Sequence, residues 1–414
     1  MSFVSPETSA ALSLLNAGAV RERAHRMLAI GLEDKLPNFR IHLDRMASAV
    51  DLVLETTRKA YPSLEVPFHS RWRHFVMSGD DRWAALADNT AWSDRAARAR
   101  AEFDLAIVSV FLDAGAGPTW RYQDPKTELA IGRSEGLGLA SLAMFAGGVF
   151  SVNPQAPLRA DASVLAKLGV ADLQNNLQVS PTNPLVGIDG RADLLRCLGA
   201  LVASKPEIFG SHDTPRPGGL FDRLVALAKD GRLPAPTILS ELLQQFGPIW
   251  PSRLTLGGIA LGDCWKHPSL VTADVTNGLV PLHKLSQWLA YSLIEPLQTA
   301  GITVTDIDGL TGLAEYRNGG LFIDIGVLTF RDADAAQREH DVASSMVVEW
   351  RALTVALLDR TAEGVRQRLQ LDSTSLPLAK VLEGGTWAAG RLLARERRAD
   401  ALPPIKVISD GTIF

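Results

Sequence analysis

The sequence predicts a mostly α fold, built as a single large helical domain with a few short strands. Three observations carry this. Stretches with apolar residues at helical spacing recur along the chain, as in Leu43, Met46, Ala47, Val50, Val53 and Leu54, or Ala97, Ala101, Leu105, Val108 and Phe111. Strand candidates are confined to short pieces, residues 254–261 and 321–328 among them. No alternating strand–helix series points to a parallel sheet.

In order, Ser5-Pro6-Glu7 reads as an N-cap with proline at the first helical position, opening a helix that stops near Gly18. A second helical pattern covers 20–32, and a third covers 38–60 until Pro62 ends it. His69-Ser70-Arg71-Trp72-Arg73-His74-Phe75 reads as a helix start that sends Trp72 and Phe75 into the core and leaves the cations wet. Residues 94–112 form a strong amphipathic pattern that Asp113-Ala114-Gly115-Ala116-Gly117-Pro118 terminates. Arg133-Ser134-Glu135-Gly136-Leu137 admits two readings: a capping turn for a helix over 137–146, or an anion site of Arg133 and the first backbone N–H groups.

Turn-rich 174–191 leads to a helix from Arg191 to about Ala203, then a Pro- and Gly-rich loop, 205–219, holding His212, Asp213 and Arg216. Short helices over 221–229 and 237–246 complete a scaffold half, 1–250. Residues 251–330 hold the densest polar clusters, and 331–414 holds C-terminal helices (332–369 and 375–398) and a tail with one apolar run, Ile405-Lys406-Val407-Ile408.

Composition narrows the function classes. The chain has 414 residues, 46% hydrophobic and 21% charged, an ordinary soluble balance. A net charge of −4 argues against nucleic acid as the main partner, though a local basic pocket for phosphate is allowed. Only Cys197 and Cys264 occur, so neither a disulfide framework nor a structural zinc motif is expected. No apolar run has membrane-spanning length and the first residues lack a secretory pattern, so a cytoplasmic protein is expected.

Three clusters in the central stretch suit a pocket for a small polar molecule: Gly262-Asp263-Cys264-Trp265-Lys266-His267, His283-Lys284-Leu285-Ser286-Gln287, and Glu315-Tyr316-Arg317-Asn318-Gly319-Gly320. Pro281 sits where a helix would start, Pro296 allows a kink or early stop, and Gly301 follows the end. On that helix Lys284, Gln287 and Tyr291 share one face, and Leu285, Leu289 and Leu293 another. Glu315 and Asp263 are the two carboxylates, with His267 four residues after Asp263. Asp263, His267, His283 and Glu315 lack the spacing of a known metal motif, and no metal or cofactor is expected. There is no nucleophile elbow and no phosphate-binding Walker loop.

Taken with Leu112-Asp113-Ala114-Gly115-Ala116-Gly117, Arg133-Ser134-Glu135-Gly136-Leu137 and His283-Lys284-Leu285-Ser286-Gln287-Trp288-Leu289, these clusters resemble the uracil-catabolism protein family. The likeness runs from about His69 into the long helix beyond Asp332, with Leu282 standing where that family's pattern leads one to expect phenylalanine. More remotely, Lys284 and Gln287 with an acidic residue before Tyr-Arg are similar to the queuosine-salvage nucleotide hydrolases, whose helical fold looks like the DNA glycosylases. There the acid is aspartate; here it is Glu315.

The resemblance implies scission of the N-glycosidic bond of a ring-opened, phosphorylated ribosyl-urea substrate. In that reading Glu315 serves the ribose centre or the water, and Asp263 is the second acid or a hydroxyl contact. Lys284, with Arg133 or His267, holds phosphate or a leaving-group oxygen, and Trp265, His283, Gln287, Tyr316 and Arg317 complete the substrate contacts. An amidohydrolase acting on the ureide C–N bond and a non-catalytic nucleotide-binding regulator are the alternatives.

Overall fold

A computed structural model describes residues 5–113, 115–210, 214–250 and 254–408. Ala114, His212, Asp213 and Arg253 therefore lie outside the described residues. The fold is mostly helical, and among the described residues every strand has three residues or fewer and pairs with one partner strand. No helix there is long and apolar enough to cross a membrane. The contacts group into two compact units, each assembled from separated segments of the chain.

The first unit comprises Met1–His69, Ser252–Gln287 and Asp306–Ser409. Its axis is the Ser345–Leu369 helix, buried along most of its length and packed against Ala17–Leu32, Met46–Ala60 and Tyr316–Asp324. Ser5 caps the first helix through Thr8 N–H at 3.1 Å, as the sequence implies. That helix stops at Ser13 rather than near Gly18, because Asn16 caps the next one through Ala19 N–H at 2.9 Å.

Four segments differ from expectation, three because a distant partner overrides local pattern and one through a local cap. Phe39–Ile41 pairs antiparallel with Leu328–Phe330, so the third helix begins only at Met46. Residues 321–324 are helix, since Glu315 caps Tyr316–Asp324, and only Leu328 is strand. Pro281 closes a strand, Leu279–Pro281, that pairs with Cys264–Lys266, and the helix runs Lys284–Thr299 through Pro296. The long helix begins at Ser345, preceded by Glu339–Asp341, which pairs in parallel with Lys406–Ile408 of the tail. Residues 254–261 form a hairpin, Thr255–Leu256 with Ile259–Ala260, turned by Gly257 and Gly258 at φ of 53° and 78°. A π-helical turn, Leu382–Thr386, interrupts the last helical region.

The second unit comprises, among the described residues, Ser70–Pro251 and Trp288–Thr305. Its centre is the Arg95–Phe111 helix, capped by Asp94 and packed on Arg133–Ala146 and Leu220–Leu227. Trp72 and Phe75 enter the core as expected, but Arg71 is not wet: its side chain is fully buried. The guanidinium donates to Ser109 Oγ at 2.6 Å, Asp113 Oδ1 at 2.9 Å and the Ser134 carbonyl at 3.2 Å. Arg191 likewise lies inside the Ile188–Ser204 helix and donates to the Leu112 carbonyl at 2.9 Å. Within 205–219 a short helix, Pro206–Phe209, forms, and Arg216 pairs with the buried Asp104 at 2.6 Å.

Candidate functional site

The first unit gathers its buried charge around Asp263. Gly262 turns the chain at φ 58°, and the Asp263 carbonyl accepts Leu282 N–H at 2.9 Å and His283 N–H at 3.1 Å. The carboxylate accepts four more bonds: Trp265 Nε1 at 2.7 Å, Lys284 N at 2.9 Å, and Arg351 Nη1 and Nη2 at 2.8 Å each. Burial by itself raises a carboxyl pKa. Here the Arg351 charge and the hydrogen bonds from Arg351, Trp265 and Lys284 outweigh it and hold Asp263 well below the usual carboxylate range. An acid kept ionised in this way delivers no proton at neutral pH, so the second-acid role falls; Asp263 is an anchor that joins a strand pair to a helix start.

Arg351 had not been singled out in the sequence. It stands in an apolar run of the Ser345–Leu369 helix, and its Nε also donates to the Ala314 carbonyl at 3.2 Å. One guanidinium thus ties the Asp263 turn to the residue before Glu315. The signal available in the sequence was two charges, Glu349 and Arg351, within 346–358, where Thr354 is the one other polar residue. Charged side chains on a helix face that is otherwise core are buried only with partners.

Glu315 is half-buried and caps Tyr316–Asp324, accepting Arg317 N–H at 2.7 Å and Asn318 N–H at 2.6 Å, one on each carboxylate oxygen. The helix dipole favours negative charge at that position. Tyr316 and Arg317 are half-buried beside it; the Tyr316 ring lies 6.4 Å from that of Trp350, and Arg317 Nη1 donates to the Ala401 carbonyl at 2.9 Å. Lys284, also half-buried, opens its helix directly after the Asp263 contact.

The remaining expected contacts are interior supports. Gln287 is fully buried and clamps Thr311, donating from Nε2 to Oγ1 at 2.7 Å. Trp265 is buried on Asp263. His267 is fully buried: its Nδ1 accepts Ser269 N–H at 3.2 Å, and its Nε2 faces Glu349 at 3.3 Å. That sealed pair, on which Glu349 also accepts Phe39 N–H at 2.8 Å, removes His267 from the phosphate clamp. His283 is buried at φ 46°, its Nε2 donates to the Leu14 carbonyl at 3.0 Å, and burial lowers its pKa.

Arg133 and Tyr291 belong to the second unit. Arg133, at φ 58°, is the first residue of Arg133–Ala146, which therefore starts four residues earlier than expected and has Gly132 as its cap. Next to it, Ser134 Oγ donates to Asp113 Oδ2 at 2.9 Å, so two of the sequence motifs meet through side chains. Among the described residues no three of His, Cys, Asp and Glu come together as a metal-binding group.

Comparison with known proteins agrees with the resemblance seen in the motifs. A family model described as a protein of unknown function, DUF1688, matches residues 13–414. The chain is similar to the protein urg3 of Schizosaccharomyces pombe, with 37% identity over 98% of this chain and 100% of that protein. It is also similar to uracil catabolism protein 4 of Lachancea kluyveri, with 35% identity over 91% of this chain and 92% of that one.

Proposed function

The chain belongs to the DUF1688 family, and on that footing we propose that it acts in uracil degradation, as a hydrolase of an N-glycosidic bond. The substrate is a ring-opened uridine nucleotide of the ribosyl-urea phosphate type. Water attacks C1′ of the ribose, the C1′–N bond breaks, and the departing nitrogen takes a proton, giving urea and ribose 5-phosphate.

The observation that carries this reading is Glu315. Its carboxylate is fixed by two backbone N–H groups at 2.7 and 2.6 Å, in a residue that is half-buried and not sealed in the core. A pre-oriented carboxylate stabilises the positive ribosyl centre of such a transition state and orients the water without reorganising. Lys284, set by Asp263, supplies a cation for phosphate, whose remote binding energy lowers the barrier. Asp263 and Arg351 take no part in bond breaking; they hold the Lys284 helix start and the Ala314–Glu315 turn in register.

The test is a mass-spectrometric product assay on ring-opened uridine nucleotide. Wild-type protein should release urea together with ribose 5-phosphate, and Glu315→Gln should lose turnover while its circular dichroism and substrate binding persist. Carbamate or ammonia without sugar release would instead make the enzyme an amidohydrolase, and tight binding without turnover a regulator.

A further inference from the structure

Two buried polar atoms border the turn that carries Glu315, and neither has a hydrogen-bond partner: Asn318 Oδ1 and Trp350 Nε1. Asn318 is fully buried and Trp350 is 2% exposed. Both belong to the first unit, and both atoms lie at the N-terminal turn of Tyr316–Asp324. The Asn318 amide folds back over that turn, because its Nδ2 donates to the Leu313 carbonyl at 3.3 Å. The same bond fixes which end of the amide is oxygen, since a carbonyl cannot be faced by another acceptor. Trp350 lies under the next residue: a Cβ on Gly319 would stand 2.7 Å from Nε1. One orphan donor and one orphan acceptor therefore flank a single helical turn.

Buried polar groups without partners are rare and mark either strain or a missing partner. Here the pair has a definite chemical complement. An indole N–H only donates, and an amide oxygen only accepts. A group with a carbonyl oxygen next to an N–H answers both at once, as a water or a hydroxyl also does. An anion would satisfy Nε1 but oppose Oδ1; a cation would do the reverse.

We propose that Asn318 Oδ1 and Trp350 Nε1 form the subsite for the ureido group of the substrate, Oδ1 accepting a ureido N–H and Nε1 donating to the ureido oxygen. This rests on the glycosidase reading and deepens it, because it names what assists the leaving group once Asp263 is excluded as an acid. As the C1′–N bond breaks, its electron pair stays on the urea nitrogen and is shared with the urea oxygen. The Trp350 N–H meets that developing charge, and the proton that completes urea comes from the attacking water. A donor aimed where charge collects acts mainly on the transition state.

The experiment has one arm that needs no turnover. The indole ¹H–¹⁵N resonance of Trp350, assigned by its loss in Trp350→Phe, is followed while N-(2-hydroxyethyl)urea is added at non-denaturing concentrations. A saturable shift, absent in Asn318→Leu and absent with ethylene glycol, supports the subsite. No shift in a folded wild-type protein overturns it. In the kinetic arm Trp350→Phe, which keeps the aromatic packing, should lower kcat by about 10²-fold with little change in KM; an unchanged kcat overturns the proposal too. A saturable shift in a protein that releases no urea from the nucleotide leaves the subsite standing and refutes the glycosidase instead.

Discussion

Arg351→Met removes the cation on which the Asp263 anchor depends. Three hydrogen bonds go: two to the Asp263 carboxylate at 2.8 Å and one to the Ala314 carbonyl at 3.2 Å. The larger effect is what stays behind, a carboxylate only 14% exposed with no compensating charge. Removing one partner of a buried pair costs about 3–5 kcal/mol. Trp265 Nε1 and Lys284 N still donate to Asp263, so the lower end, about 3 kcal/mol, applies here. For a folding unit of this size that corresponds to a fall in Tm of ~6–12 °C.

Urea denaturation of Arg351→Met, Asp263→Asn and the double variant, followed by circular dichroism, measures the coupling directly. The double variant should be more stable than Arg351→Met alone, because it leaves no stranded charge. The pH dependence follows from the depressed Asp263 carboxyl. A carboxylate whose folded pKa is lowered contributes stability that is present above its unfolded pKa of about 4 and is lost as pH falls further. In Arg351→Met the guanidinium no longer opposes the burial that raises the carboxyl. The penalty should therefore begin to shrink above about pH 4 as the variant's Asp263 takes up a proton, and shrink further below it as wild type loses the contribution of its depressed carboxyl. A loss under about 1 kcal/mol, the size of an exposed pair, or simple additivity in the double variant would refute the anchor.

Two further outcomes test the packing around the site. His283→Asn should be tolerated at φ 46°, which asparagine adopts readily. Because burial lowers the folded His283 pKa, the unfolded chain takes up a proton first as pH falls below about 6.5, and wild-type stability drops there. The variant lacks that slope, at most about 1.4 kcal/mol per pH unit, and parallel wild-type and variant curves in urea melts would show that His283 is not the source. Gly319→Ala places a Cβ 2.6 Å from Trp350 Cε2. Overpacking of this kind costs about 1–3 kcal/mol and outweighs the ~1 kcal/mol that alanine gains over glycine in a helix, so thermal melts should show a lower Tm.

What the sequence determined by itself is what acts over a few residues. Ser5 reaches an N–H group three residues away, and helical periodicity repeats within a turn or two; both were legible, as were the long amphipathic helices. The site clusters were legible for the same reason, each being a short run of unusual composition. Tertiary structure alone decided what each cluster does. Asp263 is an anchor and not an acid because Arg351, 88 residues away, closes on it. Phe39–Ile41 is a strand because Leu328–Phe330 supplies its ladder. Arg71 looked solvated and is buried, with Ser109, Asp113 and Ser134 accepting from its Nε and Nη1. The charge state and accessibility of a polar side chain are set by the partners that folding brings to it, and a local pattern carries no record of them.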